Sequence, residues 1–227
     1  MTAERRVTLT FDLFSALIDS RTGAGAVFDR LGTARGWSED GTSVYDAWDA
    51  RNKRAQRDCS TWVPYHVLAR EALADAYAAL ELEGDADADL AAVLGSLPEW
   101  PLWPDVAAGL PALGKHYRLG VLSNVDDDLF RRTRARGYVD ADLVMSSERL
   151  GVYKPNSLIY LRAQDALGPM VHVASSARDV RGASEAGIPV VRLRRPGHTL
   201  DPDGPRPAFE AADMAELETL VPLAVRR

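Results

Sequence analysis

The sequence lacks the features that mark several specialised classes of protein. Its 227 residues include one cysteine, Cys59, so an internal disulfide is excluded. No apolar run approaches the roughly 20 residues of a membrane-spanning helix. Lysine and arginine number 27 against 33 acidic residues, giving a net charge of −6, and they form no basic stripe. We therefore expect no membrane partner and no nucleic-acid partner.

The first residues of the chain also lack the apolar segment of a secretory leader. A short apolar run broken by threonines leads straight into Asp12. With the single cysteine, this favours a cytoplasmic location. A hydrophobic content of 46% and a charged content of 26% are typical of an ordinary globular chain that buries a sizeable core.

Residues from about 22 to 97 have the composition of helices. They are rich in Ala, Leu, Glu, Asp and Arg and show no strand-like alternation. The segment Leu97–Pro104 follows with three prolines and two tryptophans, which indicates a linker rather than a helix. The predicted helices lie near Ala24–Arg35, Ser43–Cys59, Tyr65–Leu82 and Asp85–Leu94.

Short apolar runs alternate with helical segments in the rest of the chain. This alternation predicts an α/β fold in which a parallel sheet is covered on both faces. The first run, Val7–Phe11, joins the sheet across the helical insertion. We predict a discontinuous core of residues 1–20 and 98–227 and a helical cap of residues 21–97. The other predicted strands are Leu119–Leu122, Leu143–Met145, Val171–Ala174 and Pro189–Leu193, and the helices between them are Val106–Leu113, Asp128–Arg136, Pro155–Leu167 and Arg178–Ala186.

Polar residues stand where these strands end. A parallel sheet brings the carboxyl ends of its strands to one edge, where ligands bind. Two carboxylates there would raise each other's pKa, and a lysine between them would keep both ionised. An ionised aspartate can attack carbon or phosphorus to form a covalent intermediate, which a second base helps to hydrolyse. The residues predicted to share this site are Asp12, Ser123, Asn124, Lys154, Ser175 and Asp179.

Four motifs in this order resemble those of the haloacid dehalogenase superfamily. They are Phe11–Asp19, Leu122–Asn124, Tyr153–Pro155 and His172–Asp179, the last followed by Gly182-Ala183 and Ala186-Gly187. The resemblance covers nearly the whole chain. It implies a Rossmann-like core with a mobile helical cap that closes over the site.

Two positions distinguish branches of this superfamily. Its phosphatases carry a second aspartate two residues after the nucleophile and hold Mg²⁺ with an acidic residue, whereas this chain has Phe14 and Ser175. Losing a carboxylate weakens a magnesium site, and phosphoryl transfer needs the metal. The chain therefore resembles most closely the L-2-haloacid dehalogenases, which act on carbon without a cofactor. A Mg²⁺-dependent phosphatase remains an alternative.

The resemblance to this branch also implies roles for individual residues. Asp12 would displace halide from a small 2-halo carboxylic acid and form an ester, and Asp179 with Lys154 would position or activate water. A cap arginine, Arg51 or Arg54, would receive substrate charge and halide, although both also fit a solvated helix face. The other residues expected to contact the nucleophile or the substrate are Phe14, Ser15, Ser123, Asn124, Tyr160, Ser175 and Ser176.

Some positions depart from the dehalogenase pattern. Ser15-Ala16 replaces the usual Gly-Thr, and Ser176 replaces an asparagine. Three alternatives to dehalogenation are therefore left open: hydrolysis of an epoxide, hydrolysis of an activated ester, and binding without catalysis. A homodimer is also left open. The four histidines show no ligand spacing, and His172, near a strand start, is expected to be packed or at the surface.

Overall fold

A six-stranded, wholly parallel sheet forms the centre of the computed structural model, which describes residues 6–202, 204 and 206–226. The spatial order is β3-β2-β1-β4-β5-β6, so the first strand of the chain lies between β2 and β4. The strands are β1 (Thr8–Phe11), β2 (Arg118–Ser123), β3 (Val144–Ser146), β4 (Met170–Ala174), β5 (Val190–Leu193) and β6 (Phe209–Ala211).

Helices lie between most of these strands along the chain, because parallel pairing requires long crossover connections. The described residues form the α-helices α1 (Ser20–Arg35), α2 (Gly41–Asp58), α3 (Tyr65–Ala79), α4 (Ala86–Gly95), α5 (Val106–Leu113), α6 (Asp127–Arg132), α7 (Ser147–Leu150), α8 (Ser157–Leu167), α9 (Ala177–Glu185) and α10 (Met214–Val225). None of them is long and apolar enough to cross a membrane. The predicted α/β, Rossmann-like architecture is confirmed.

The sheet is buried because helices cover it. Leu9, Phe11, Val121 and Val173 are fully buried within strands β1, β2 and β4. Burying one such side chain contributes roughly 1.5–3 kcal/mol to folding. On β1, Leu9 pairs with Leu119 of β2 and with Val171 of β4, which fixes the register on both sides. The strand that ends at the site is thus held by both neighbours.

Helices α1 to α4 occupy the chain between β1 and β2. Aspartate side chains cap three of their N-termini, which explains where these helices begin. Phe28 of α1 packs edge-on against Trp48 of α2 at 5.9 Å between ring centroids, and Trp48 Nε1 donates to Ala69 O of α3. The carboxylate of Asp126, just before α6, accepts from the backbone N–H of Tyr65 and so ties α3 to the rest of the molecule.

The structure differs from the sequence predictions in several elements. The predicted helix 128–136 ends at Arg132, and a separate 3₁₀ turn, Arg134–Gly137, follows it. The sequence analysis did not predict β6 and α10. Strand β6 has three residues with one buried, too few for alternation to be recognised. Residues 1–5, on which the expectation of no leader partly rests, lie outside the described residues.

Candidate active site

The predicted site residues meet at the carboxyl edge of the sheet. Asp12 directly follows β1, and its backbone N–H donates to Val173 O of β4 at 2.9 Å. A single π-helical turn, Leu13–Leu17, comes next and turns the chain back over Asp12. Because the strands are parallel, the ends of β2 and β4 deliver their polar residues to the same place.

Both oxygens of the Asp12 carboxylate accept hydrogen bonds. Oδ2 accepts from Ser15 Oγ at 2.6 Å and from the Ser15 backbone N–H at 3.1 Å. Oδ1 accepts from Ser123 Oγ and from Lys154 Nζ, each at 3.1 Å. Four donors from three segments of chain therefore fix the orientation of this carboxylate.

Lys154 lies between the two carboxylates of the site. Its Nζ donates to Asp179 Oδ2 at 2.6 Å as well as to Asp12, and its side chain is 3% exposed. The Tyr160 hydroxyl donates to Asp179 Oδ1 at 2.7 Å. Burial and the nearby Asp179 charge raise the pKa of Tyr160 well above its usual value, so the phenol keeps its proton and remains a donor.

These contacts keep both aspartates ionised. Burial raises the pKa of Asp12, but the Lys154 charge and the hydrogen bonds from Ser15 and Lys154 outweigh burial, so the pKa lies below its ordinary value. Burial also raises the pKa of Asp179, and Lys154 and His172 lower it far more, to well below the usual range. Near neutral pH the site therefore presents two carboxylates around one ammonium group.

His172 belongs to this network, which the sequence analysis missed. It is fully buried in β4, not at the surface, and its Nε2 lies 3.1 Å from both carboxylate oxygens of Asp179 and 3.4 Å from Lys154 Nζ. Its Nδ1 lies 3.0 Å from Thr10 Oγ1, across the pairing of β1 with β4. The available signal was His172, the one polar residue within the otherwise apolar strand β4, with the threonines of β1 in a neighbouring strand.

A small cavity of about 70 Å³ opens beside Asp12. One ordered water needs roughly 10–15 Å³ on this measure, so the cavity has room for about five waters or a ligand of similar size. Phe14 forms part of the wall and packs against Trp100 at 5.7 Å between ring centroids. The cavity is lined by Asp12, Phe14, Ser15, Ser20, Tyr45, Asp49, Asn52, Lys53, Gln56, Tyr65, Ser123, Asn124, Lys154, Ser176, Arg178, Asp179 and His198.

Helix α2 supplies one wall through a single polar face. Asp49, Asn52, Lys53 and Gln56 are spaced three, one and three residues apart, which places them on one side of a helix. Asn124, after β2, donates to Gln56 Oε1 at 2.8 Å and so fixes this face to the sheet edge. The spacing was visible in the sequence, but nothing there indicated which face of α2 turns inward.

The predicted cap arginines lie on other sides of α2. Arg51 donates from Nη1 to Ala47 O within its own helix, and Arg54 is exposed. Neither lines the cavity, whose wall carries Lys53 and Arg178 instead. Because α2 turns about 100° per residue, the side chain of a residue next to the inward-facing positions points away from the cavity.

The remaining predicted residues divide into two groups. Ser15, Ser123, Asn124 and Ser176, like Phe14, line the cavity. Tyr160 and Ser175 are fully buried and do not line it. Tyr160 reaches the site through Asp179, whereas Ser175 Oγ has no hydrogen-bond partner among the described residues.

The donor set does not fit the Mg²⁺ ion that phosphatases of the resembled superfamily use. Asp12 and Asp179 are both bound to Lys154 Nζ, and the third position holds the neutral Ser175. In the part of the chain that the structure describes, no group of three or more His, Cys, Asp or Glu residues could hold a metal ion. Mg²⁺ is a hard cation that proteins bind through carboxylate oxygens, and Ser175 offers none where the resembled phosphatases have an acidic residue.

Comparison with known proteins adds independent evidence. The family model of haloacid dehalogenase-like hydrolases matches residues 7–187. The (S)-2-haloacid dehalogenase 4A of Burkholderia cepacia is 31% identical over 113 residues, which are 47% of this chain and 49% of that protein. The chain thus aligns with about half the length of this curated relative.

Solved structures match over nearly the whole chain. The L-2-haloacid dehalogenase from Xanthobacter autotrophicus has a TM-score of 0.81 at 23% identity and covers 95% of this chain and 98% of its own, which shows a shared fold. Another L-2-haloacid dehalogenase has a TM-score of 0.76 at 25% identity and covers 96% and 99%. Because the family model covers most of the sequence, the predicted resemblance is confirmed, and the chain belongs to the haloacid dehalogenase-like hydrolase family.

Proposed function

We propose that this hydrolase removes halide from a small 2-halo carboxylic acid, using Asp12 as the nucleophile and no metal ion. The observation that carries the proposal is the Asp12 carboxylate, which lines the cavity, is held by four donors and has a pKa below its ordinary value. The names of the relatives, (S)- and L-2-haloacid dehalogenases, support the substrate class and the S enantiomer. A three-carbon haloacid also suits a cavity of about 70 Å³.

In the first step, one Asp12 oxygen attacks carbon 2 of the acid, and the carbon–halogen bond breaks as the halide leaves with the bonding electrons. The product is an ester between Asp12 and the acid. Whichever oxygen attacks, the other becomes the ester carbonyl and retains two donors. These are Ser15 N–H and Oγ on one side, or Ser123 Oγ and Lys154 Nζ on the other.

In the second step, water attacks the ester carbonyl carbon of Asp12. Asp179, ionised and lining the same cavity, orients the water and takes its proton. The two donors on the carbonyl oxygen stabilise the negative charge that develops there, as in an oxyanion hole. Collapse of the tetrahedral intermediate releases the 2-hydroxy acid, whose new hydroxyl takes up one of the two protons of the water. The second proton passes to solvent, which restores the Asp12 carboxylate.

Two residues argue against phosphoryl transfer at this site. Phe14 occupies the position from which an aspartate would protonate a leaving alkoxide, and it packs on Trp100 instead. Ser175 is neutral and has no hydrogen-bond partner among the described residues, whereas the resembled phosphatases hold Mg²⁺ with an acidic residue at this position. A metal-independent reaction at carbon uses this arrangement as it stands, because the departing halide carries its own charge away.

We also propose that residues 21–97 act as a cap over a core of residues 1–20 and 98–227. Helix α2, within this insertion, provides one wall of the cavity, and the sheet edge provides the other. Two hydrogen bonds to Gln56, from Asn124 and Arg178, hold these walls together. A cap that closes in this way keeps bulk water away from the ester.

The test is halide release from each enantiomer of 2-chloropropionate in EDTA. We expect release by the wild type, faster from the S enantiomer, and a loss of at least about 1,000-fold in Asp12→Asn, because the nucleophile is removed. Asp165→Asn, an exposed aspartate on α8, is the matched control and keeps the wild-type rate. Phosphate release from an aryl phosphate with Mg²⁺ is measured beside it.

The proposal fails if Asp12→Asn still releases halide at the control rate. It also fails if folded wild-type protein releases phosphate with Mg²⁺ and no halide. Absence of both products from folded protein would contradict it equally, and it would direct attention to epoxides and activated esters as substrates.

A further inference from the structure

We propose that Arg178, at the start of α9, binds the carboxylate of the substrate. This inference rests on the proposed function and assigns to a core residue the role that the sequence analysis gave to an arginine of α2. The observation behind it is the distribution of charge around the cavity. Of the described lysines and arginines, Lys53, Lys154 and Arg178 line the cavity.

Two of these three cations already have carboxylate partners. Lys154 is bound by Asp12 and Asp179, and Lys53 is bound by Asp49 one helical turn earlier on α2. Arg178 differs from both. Its hydrogen bonds go to two neutral acceptors, Lys53 O at 2.8 Å and Gln56 Oε1 at 2.9 Å, and none of the ion pairs among the described residues includes it.

The geometry leaves Arg178 able to bind an anion. A guanidinium group has five N–H donors, and the two hydrogen bonds use one donor on each Nη. The remaining N–H groups form the planar fork that matches a carboxylate. Gln56 Oε1, which accepts from Arg178 Nη2, also accepts from Asn124 Nδ2, so the guanidinium is oriented before a ligand arrives.

The cavity also needs such a cation. Asp12 and Asp179 repel a carboxylate substrate, and the single charge of Lys154 is shared between them. Without another positive charge, the anion that must approach Asp12 would meet a net negative wall. Arg178 supplies this positive charge on the wall formed jointly by α9 and α2. Because it has no carboxylate partner among the described residues, a substrate carboxylate does not have to displace one.

The first test measures binding of propionate, which has the carboxylate and no halogen, by isothermal titration calorimetry. Wild type binds propionate, and Arg178→Gln binds it about 10- to 100-fold more weakly, the usual loss for charge-assisted hydrogen bonds. Arg178→Lys keeps the positive charge but loses the planar pair of N–H donors, and its affinity for propionate lies between those of wild type and Arg178→Gln. Arg181→Gln is the matched control, because Arg181 is exposed on the same helix and pairs with Glu185.

The second test compares 2-chloropropionate with the uncharged 2-chloropropionamide. We expect wild type to prefer the acid in kcat/KM by at least about tenfold and Arg178→Gln to lose that preference, mainly through KM. Equal propionate affinity in wild type and Arg178→Gln would overturn the assignment, as would no propionate binding by wild type. If Arg178→Gln loses inhibition by bromide but keeps propionate affinity, the anion is the leaving halide and the assignment is wrong.

The results of these tests distinguish the proposed role of Arg178 from the proposed dehalogenation. Arg178-dependent propionate binding without halide release would retain the carboxylate site and refute dehalogenation. Halide release with an acid preference unchanged in Arg178→Gln and Arg178→Lys would retain dehalogenation and refute the role of Arg178. Circular dichroism of each variant identifies any that fails to fold, and the Lys variant then carries the comparison.

Discussion

Replacing Lys154 by methionine should make the stability of the protein rise as pH falls from 7 to 5, a range in which the contribution of this site to wild-type stability is constant. The Lys154 side chain is 3% exposed and binds Asp12 at 3.1 Å and Asp179 at 2.6 Å. Removing it leaves the buried carboxylate of Asp179 and the largely buried carboxylate of Asp12 without their shared counterion. Breaking a buried ion pair in this way typically costs about 3–5 kcal/mol, and we expect a loss of that size in the free energy of unfolding at pH 7.

The sign of the pH effect follows from the direction of the pKa shifts. In wild type, the pKa values of Asp12 and Asp179 are lowered on folding. Their stabilisation is therefore complete above the unfolded pKa, about 4, and is lost only as pH falls through the folded values. Between pH 7 and pH 5 the contribution of these two groups to wild-type stability should stay constant.

In Lys154→Met, burial and mutual repulsion raise the folded pKa of the carboxylates above the unfolded value. The folded protein then takes up a proton as pH falls, and so its stability rises from pH 7 to pH 5. One proton taken up gives a slope of about 1.4 kcal/mol per pH unit.

Urea unfolding followed by tryptophan fluorescence at pH 5, 6 and 7 measures this slope. Lys53→Met is the matched control, because Lys53 is 36% exposed and forms an i,i+4 pair that should contribute less than about 1 kcal/mol. If Lys154→Met shows the pH profile of wild type displaced by a constant, the two carboxylates do not depend on Lys154 for their ionisation, and the reasoning is refuted.

Two further substitutions test how Asp12 and Asp179 are held. Ser15→Ala removes the 2.6 Å hydrogen bond to Asp12 and should raise the pKa of that carboxyl. The acid limb of the pH profile of kcat/KM should therefore move to higher pH, and an unchanged acid limb would contradict this expectation. Gly182→Ala adds a Cβ 2.7 Å from the Tyr160 hydroxyl, which is too close, so the hydroxyl that donates to Asp179 must shift. For Gly182→Ala we expect a reduced kcat. We expect no gain in melting temperature, although alanine favours a helix by about 1 kcal/mol over glycine. A wild-type kcat in this variant would refute the role given to the Tyr160 hydroxyl.

The sequence was sufficient to predict five of the six strands described and the polar residues at the carboxyl edge of the sheet. Asp12, Ser123 and Asp179 follow short apolar runs, and the parallel sheet implied by alternating strands and helices brings such positions together. Residues that act from within a strand were harder to identify. The sequence predicts His172 only as a packed or surface residue, because its partners Thr10 and Asp179 become its neighbours through the folding of β1, β4 and α9.

The helical face that forms the wall was also beyond the sequence. The pattern predicted α2 but not its rotation, so Arg51 and Arg54 were chosen where the structure places Asp49 and Lys53 at the cavity. The same limit applies to Arg178, whose partner Gln56 is 122 residues away in the chain. Which face of a helix turns inward depends on packing between distant segments, and one sequence does not reveal such contacts.

The central claim is that Asp12 becomes esterified, and oxygen-18 water tests it most directly. With enzyme in excess over (S)-2-chloropropionate, so that each molecule turns over at most once, water attacks the Asp12 carbonyl carbon and not the substrate. The Asp12 peptide should then gain one heavy oxygen by mass spectrometry, and the released hydroxy acid should contain none. Heavy oxygen in the product with an unlabelled Asp12 peptide would mean that water attacks the substrate directly, and the account would be wrong.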